Sequence, residues 1–295
     1  MNALLFLRRT IAALAAVAAL GVAIPAQAAG DGVALDTFPT HKLLELPALQ
    51  DGARTFVNYC LNCHGASMMR YNRLRDIGLS EAQITEHLLF TGRKVGDPMQ
   101  VALRPNDAKE WFGALPPDLS VIARARSSAE GSGSDWLFTY LRSFYRDDSR
   151  AIGWNNAVFP NVGMPHVLWE WQGSRGATVE EIKAVKDEKT GEGHGFSRTV
   201  VTYDNAGTRL EKTEKLEGGG HPHEGTKLTL TPASGGSMNQ ASYDEKVANL
   251  VAFLTYVSDP TARTRVRMGV WVLMFLGLLV FLTWWLNREY WKDIK

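Results

Sequence analysis

The chain has 295 residues, long enough for one or two domains with a real core. Its formal net charge of +1 leaves no basic footprint of the kind nucleic-acid binding requires. Nine Trp and eight Tyr argue against overall disorder.

Residues 1–28 read as a bacterial export signal. Arg8 and Arg9 give a positive start, an apolar run follows from Ile11 to Ile24, and Ala26-Gln27-Ala28 has the small-x-small form of a cleavage site. The competing reading is a permanent first anchor. The surroundings of the Arg pair do not match a twin-arginine signal, so the expected route is export of the unfolded chain. Residues 29–50, with Pro39 and Pro47, read as an irregular lead-in, and a helix is expected over about 50–62.

Ser80 and Gln83 form a capping-box pattern ahead of "ITEHLLF", which predicts a helix over about 81–90. The next forty residues are rich in Gly and Pro and read as loops, with a short helix near 118–126. "DWLFTYLRSFY" after Ser134 predicts another helix, and "WNNAVFPNVGMPHVLWEW" reads as a loop pinned by Pro160 and Pro165.

Residues 172–240 are polar and rich in Gly, Lys and Glu, and read as an insertion. Thr178 and Glu181 suggest a short capped helix, and "SRTVVTYDNAGTRLEKTEKLE" a β-hairpin turning at Asn205-Ala206-Gly207. Acidic residues such as Glu180, Glu181, Asp187 and Glu188 alternate with Lys183, Lys186 and Lys189, which favours a solvated face over an acidic docking patch. His221 and His223 lie in a Gly-rich loop. Ser242 and Glu245 suggest a capping box for an amphipathic helix carrying Val247, Leu250, Val251, Leu254 and Val257 at helical spacing and ending at Asp259-Pro260.

From Met268 to Leu286 the chain is apolar without a charge, as a membrane span requires, and Trp284, Trp285, Tyr290 and Trp291 cluster at one end like an interfacial belt. Arginines flank both ends, so charge does not orient the span. Export does: the body, residues 29–260, would face the periplasm, and residues 261–295 would hold the anchor and a short cytoplasmic tail. Arg263, Arg265 and Arg267 would then meet anionic lipid or a partner.

The two cysteines, Cys60 and Cys63, precede His64. A redox disulfide motif belongs in a βαβ context, which is missing around these residues, and structural zinc needs a second ligand pair. A disulfide closing so short a loop would constrain the unfolded chain little. Covalent haem accounts for every part: two thiols one helical turn apart reach two vinyl groups along one porphyrin edge, and the adjacent imidazole reaches the iron. For the other face, Met1, Met268 and Met274 belong to the terminal apolar segments, and Met68 and Met69 lie too close to His64. That leaves Met99, Met164 and Met238, with His166 as a competitor. Met164 is favoured because Pro165 and Pro160 stiffen its loop. His/Met ligation closes the iron and suits electron transfer.

"CLNCHGASMMRYNRL", "GALPPDLSVIARAR", "FPNVGMPHVL" and "RVRMGV" before an apolar helix resemble the cytochrome c1 family, over most of residues 35–171 and 242–290. The resemblance implies a mainly α, class I cytochrome c-like haem domain with a single C-terminal transmembrane helix; the insertion at 172–240, read from its residues as small and α/β, lies outside the resemblance. It implies one covalently attached haem c held by Cys60 and Cys63, with His64 and Met164 as axial ligands. Arg126 matches an arginine that pairs with a propionate, and Pro116 and Pro117 fall on the haem pocket wall. Trp136 falls near a propionate-contacting aromatic that is Tyr in familiar members, a departure in this chain. The implied function is an electron relay in the cytochrome bc1 complex, in a bacterial inner membrane. The implied partners are cytochrome b, the Rieske iron–sulfur subunit and an accepting c-type cytochrome, in a dimeric complex. The alternatives are a c-type haem subunit of a terminal oxidase, and a haem enzyme or sensor with an open distal site.

Overall fold

A computed structural model describes residues 33–186, 193–216 and 224–293. The expected export signal, Asp187, Glu188, Lys189, His221 and His223 lie outside the described residues.

The lead-in is ordered from the start of the described chain. After a stretch without regular structure and a 3-10 turn at Thr40–Leu44, helix α1 spans Leu46–Thr55 and continues as a π-helical turn, Phe56–Cys60. It begins earlier than the expected 50 because Pro47 sits in its first turn, where no backbone N–H is needed. Helix α2 (Glu81–His87) carries the Ser80/Gln83 capping box in both directions, at 3.2 and 2.9 Å. Helix α3 is Pro105–Phe112, α4 is the short Ile122–Ala125, and α5 is Gly133–Arg142. Helix α6 (Trp169–Gln172) precedes the insertion, and α7 (Gln240–Ser258) follows it. The cap of α7 is Asn239, whose Oδ1 accepts from the Ser242 N–H at 2.9 Å, so the expected Ser242/Glu245 box is displaced by an earlier start.

The core forms where α1, α5 and α7 meet. Phe38, Phe56, Leu61, Tyr71, Leu74, Tyr243, Val251 and Phe253 are almost fully buried there. Phe56 packs on Phe253 at 5.7 Å between ring centroids. Gly52 lets α1 touch α7 backbone to backbone: a Cβ there would collide with the Asn249 carbonyl oxygen and lie 2.7 Å from Phe253 Cβ. Gly133 plays the same part between α5 and α4, where a Cβ would strike the Ala123 carbonyl. Asp51 ties the α1–α7 contact electrostatically, accepting from Lys246 Nζ at 2.5 Å and Asn249 Nδ2 at 3.0 Å. The lead-in is strapped to α5: Phe38 N–H donates to Asp135 at 2.7 Å, and Arg142 bridges Asp36 and Asp244.

Four short strands form two small antiparallel pairs. β1 (Ala66–Arg70) pairs with β2 (Pro98–Met99), and β3 (Phe144–Arg146) with β4 (Trp154–Asn156). At the insertion's base, β5 (Gly173–Ser174) pairs with β10 (Ser234–Gly235). Beyond it stand β6 (Ala177–Lys186), β7 (Gly193–Tyr203), β8 (Arg209–Leu216) and β9 (Gly225–Leu230), an antiparallel sheet in the order β8-β7-β6-β9. Thr178 and Glu181 therefore lie in a strand and cap no helix. Thr178 and Val179 are β-branched, and β6 has ladder partners on both edges, which outweighs a weak capping pattern. The β7–β8 chain reversal is built on Asp204, whose Oδ1 accepts the N–H groups of Ala206, Gly207 and Thr208 at 2.8, 2.8 and 2.9 Å. The last helix, α8 (Ala262–Tyr290), has 29 residues, about 43 Å at 1.5 Å per residue. Its segment Thr264–Tyr290 is long and apolar enough to cross a bilayer, and none of its most apolar window is buried by the rest of the chain.

Gly52→Ala is expected to destabilise the folded body by about 2 kcal/mol or more, because neither clashing atom is a flexible side-chain tip; thermal unfolding of the detergent-solubilised protein measures this. Burial alone would raise the Asp51 carboxyl, but hydrogen bonds from Lys246 and Asn249 hold it below its ordinary 3.8. Its contribution is present above pH 3.8 and is lost as pH falls through the lower folded value. Wild type should lose denaturant resistance in that window faster than Asp51→Asn; parallel curves would refute the role given to Asp51.

Candidate haem-binding site

The π turn ends α1 on Cys60. The next turn is a single tight one, with His64 N–H donating to the Cys60 carbonyl at 2.8 Å and Cys63 N–H to the same oxygen at 3.1 Å. Cys60 and Cys63 are free thiols, the first buried and the second half-buried. Burial, with Cys63 nearby, pushes the Cys60 thiol up to about 12, and burial raises that of Cys63 as well. Both are therefore poor thiolates in the folded chain.

His64 Nδ1 donates to the Pro117 carbonyl at 2.7 Å, which leaves Nε2 with its lone pair free to ligate a metal. Burial lowers the imidazole below its ordinary value, against the pull of Pro117 and Asp118, so the neutral form dominates at pH 7. The Pro117 loop is fastened to the residues after His64. Asp118 accepts the Ser67 N–H at 2.9 Å and the Ser120 N–H at 2.8 Å, and the Leu119 N–H donates to the Gly65 carbonyl at 2.7 Å.

Cys60, Cys63 and His64 line one side of a cavity of about 330 Å³, and Met164 lines it too. Pro116, Pro117 and Leu119 form a wall beside His64; Trp136, Tyr140 and Leu141 of α5, with Leu250 and Leu254 of α7, form much of the rest. Among the described methionines, Met164 is the one that lines this cavity. Met99 is buried opposite Ala66 in the β1–β2 pair, and Met238 packs on the core elsewhere. His166, the competitor, is buried against Phe144, with rings stacked at 4.8 Å, and is absent from the cavity lining.

The Met164 loop rests on two asparagines that sequence reasoning missed. Asn156 is fully buried: Nδ2 donates to the Tyr140 carbonyl at 2.8 Å, and Oδ1 accepts from the Val158 and Phe159 N–H groups at 2.9 and 3.1 Å. Asn155 Oδ1 accepts from the Asn161 N–H at 2.8 Å, and Asn161 takes the left-handed conformation, φ 62°. Tyr140 was also missed. Its hydroxyl donates to Met164 Sδ at 3.3 Å, and burial raises its phenol well above the ordinary value, with Arg126 pulling the other way. A Tyr four residues after Trp136 on one helix face was the available signal.

Arg126 lies 4.4 Å over the Trp136 ring and 5.5 Å from that of Phe159, at the cavity. Among the described residues it has no carboxylate partner within ion-pair distance, a cation without a counter-ion beside an apolar cavity. Two thiols, one neutral imidazole, one thioether and this guanidinium fit a haem c: edge attachment, nitrogen and sulfur donors, and a charge for a propionate. A bound haem supplies a reversible one-electron Fe(III)/Fe(II) couple.

The sequence profile described as the Cytochrome C1 family matches residues 38–182 and 236–294, passing over most of the insertion sheet. The chain is 40% identical over 269 residues to a protein described as the ammonia monooxygenase gamma subunit of Nitrosomonas europaea, covering 91% of this chain and 92% of that one. It is 39% identical over 254 residues to a cytochrome c1 of Allochromatium vinosum, covering 85% and 86%. It is 25% identical over 269 residues to the cytochrome c1 of Rhodospirillum rubrum, covering 84% and 82%. With the cavity, the paired donors and the apolar C-terminal helix, this places the protein: the chain belongs to the cytochrome c1 family, the membrane-anchored electron-transfer subunits of the ubiquinol–cytochrome c reductase (cytochrome bc1) complex.

Proposed function

We propose that this chain receives one electron at a time from the Rieske iron–sulfur subunit and passes it to a c-type cytochrome. In this reading Cys60 and Cys63 hold a single haem c through thioether bonds, and His64 Nε2 and Met164 Sδ supply the axial donors. Arg126 binds a propionate, with Trp136 beside it, and Pro116 and Pro117 exclude water on the His64 side. The observation that carries the reading is that one apolar cavity is lined by both thiols, the imidazole and a thioether. With both axial positions filled by the chain, no exchangeable site is left for substrate, so the protein has no catalytic site of its own.

Residues 1–28 act as the export signal, residues 29–260 form the periplasmic haem domain, and residues 261–295 carry the anchor and a cytoplasmic tail in the bacterial inner membrane. Cytochrome b and the Rieske protein are the companions within a dimeric complex. Docking of the accepting cytochrome needs one haem edge near the surface, and the exposed rims at Leu115 and Phe159 support that.

Met164→Leu is expected to abolish the sulfur-to-iron charge-transfer band of the oxidised protein and to confer carbon monoxide binding, while the haem stays covalently attached. A wild-type spectrum without that band would refute His/Met ligation. Mild detergent extraction should co-purify a b-type cytochrome and a Rieske protein. Recovery with a copper-containing oxidase or with a monooxygenase, the assembly named for the Nitrosomonas relative, would refute the proposed partners.

A further inference from the structure

The Tyr140 hydroxyl sits 3.3 Å from Met164 Sδ. A thioether sulfur carries two lone pairs. If one is directed at iron, the other is free to accept a hydrogen bond. Tyr140 is placed to donate it, and its placement is fixed on three sides. Its ring stacks on Trp136 at 4.8 Å and 12°, and meets Phe144 edge-on at 5.2 Å. Trp136 is covered in turn by the Arg126 guanidinium at 4.4 Å. The Tyr140 carbonyl is held by Asn156, the same side chain that roots the Met164 loop through Val158 and Phe159. Helix α5 and the loop therefore share one anchor, and the O–H to sulfur distance is set by the fold.

We propose that Tyr140 is a positioning residue that raises the reduction potential of this protein by donating a hydrogen bond to the Met164 thioether. This rests on the reading of Met164 as an iron ligand. A donated hydrogen bond withdraws electron density from sulfur, so the thioether becomes a weaker donor. The ferric state depends more on that donation than the ferrous state, so it is the state disfavoured. The interaction also holds the sulfur against rotation away from the cavity.

The test uses the full-length, haem-loaded protein in detergent, poised at the wild-type midpoint. Tyr140→Phe keeps the ring and removes only the hydroxyl. The ratio of reduced to oxidised haem is expected to fall about threefold, the scale of a change in one hydrogen bond, with the charge-transfer band retained but shifted. Phe144→Leu loosens the packing around the same ring and leaves the hydroxyl; its ratio should stay close to wild type. A wild-type band together with an unchanged ratio in Tyr140→Phe would overturn the role of Tyr140 and leave Met164 ligation standing. An equal fall in Phe144→Leu would also overturn it, assigning the effect to packing. A wild-type protein without the band would overturn the ligation reading and this proposal together.

Discussion

The backbone contact between α1 and α7 at Gly52 is the constraint on which the rest depends. Helix α1 leads into the turn that carries Cys60, Cys63 and His64. Helix α7 supplies Leu250 and Leu254 to the same cavity. Their closeness, possible because residue 52 lacks a Cβ, fixes how far the thiols stand from the opposite wall. Gly133 applies the same device to α5, seating its first turn against the Ala123 backbone of α4. A cavity bounded by elements this tightly packed keeps its shape, and a relay benefits, because little has to move when the iron changes charge.

Opposite the thiols, the work passes from apolar packing to buried hydrogen bonds. A loop with Pro160 and Pro165 has few backbone bonds of its own, so its shape is imposed by Asn155 and Asn156. Asn156 spends every polar atom on neighbours, which is how a fully buried amide is tolerated. The His64 side uses a comparable device, with Asp118 joining two loops so that the Pro117 carbonyl stays on Nδ1. On both sides the residues that line the cavity are held in turn by side chains absent from its lining, Asp118 beneath the Pro117 loop and Asn155 and Asn156 beneath the Met164 loop.

The insertion stands apart from this machinery. Its sheet joins the haem domain through the β5–β10 pair and through the β7–β8 turn, where the Asp148 N–H donates to the Gly207 carbonyl at 3.1 Å. Strand β8 is exposed along almost its whole length, and the ion pairs Arg198–Glu180 and Lys212–Glu214 lie on it and its neighbours. Such exposed pairs stabilise little and mainly keep the sheet soluble. The family profile skips residues 183–235, in line with an addition that leaves the cavity walls untouched.

The chemistry was legible in the amino-acid order because its parts are local. Two thiols and an imidazole within five residues and an apolar run of membrane length each declare themselves without neighbours, whereas spacing alone left Met164 in competition with Met99, Met238 and His166. The Ser80/Gln83 cap was legible for the same reason, being settled within four residues. What failed was decided at a distance. Thr178 and Glu181 resemble a helix start, yet ladder partners some twenty to fifty residues away make that segment a strand. Asn155, Asn156 and Tyr140 look ordinary in sequence, since an amide or a phenol acquires its role only from the groups folded against it. The sequence alone determined which donors the chain owns and that it is tethered by an apolar helix; only the tertiary structure decided that donors one hundred residues apart line a single cavity, because long-range packing, and no local rule, brings them together.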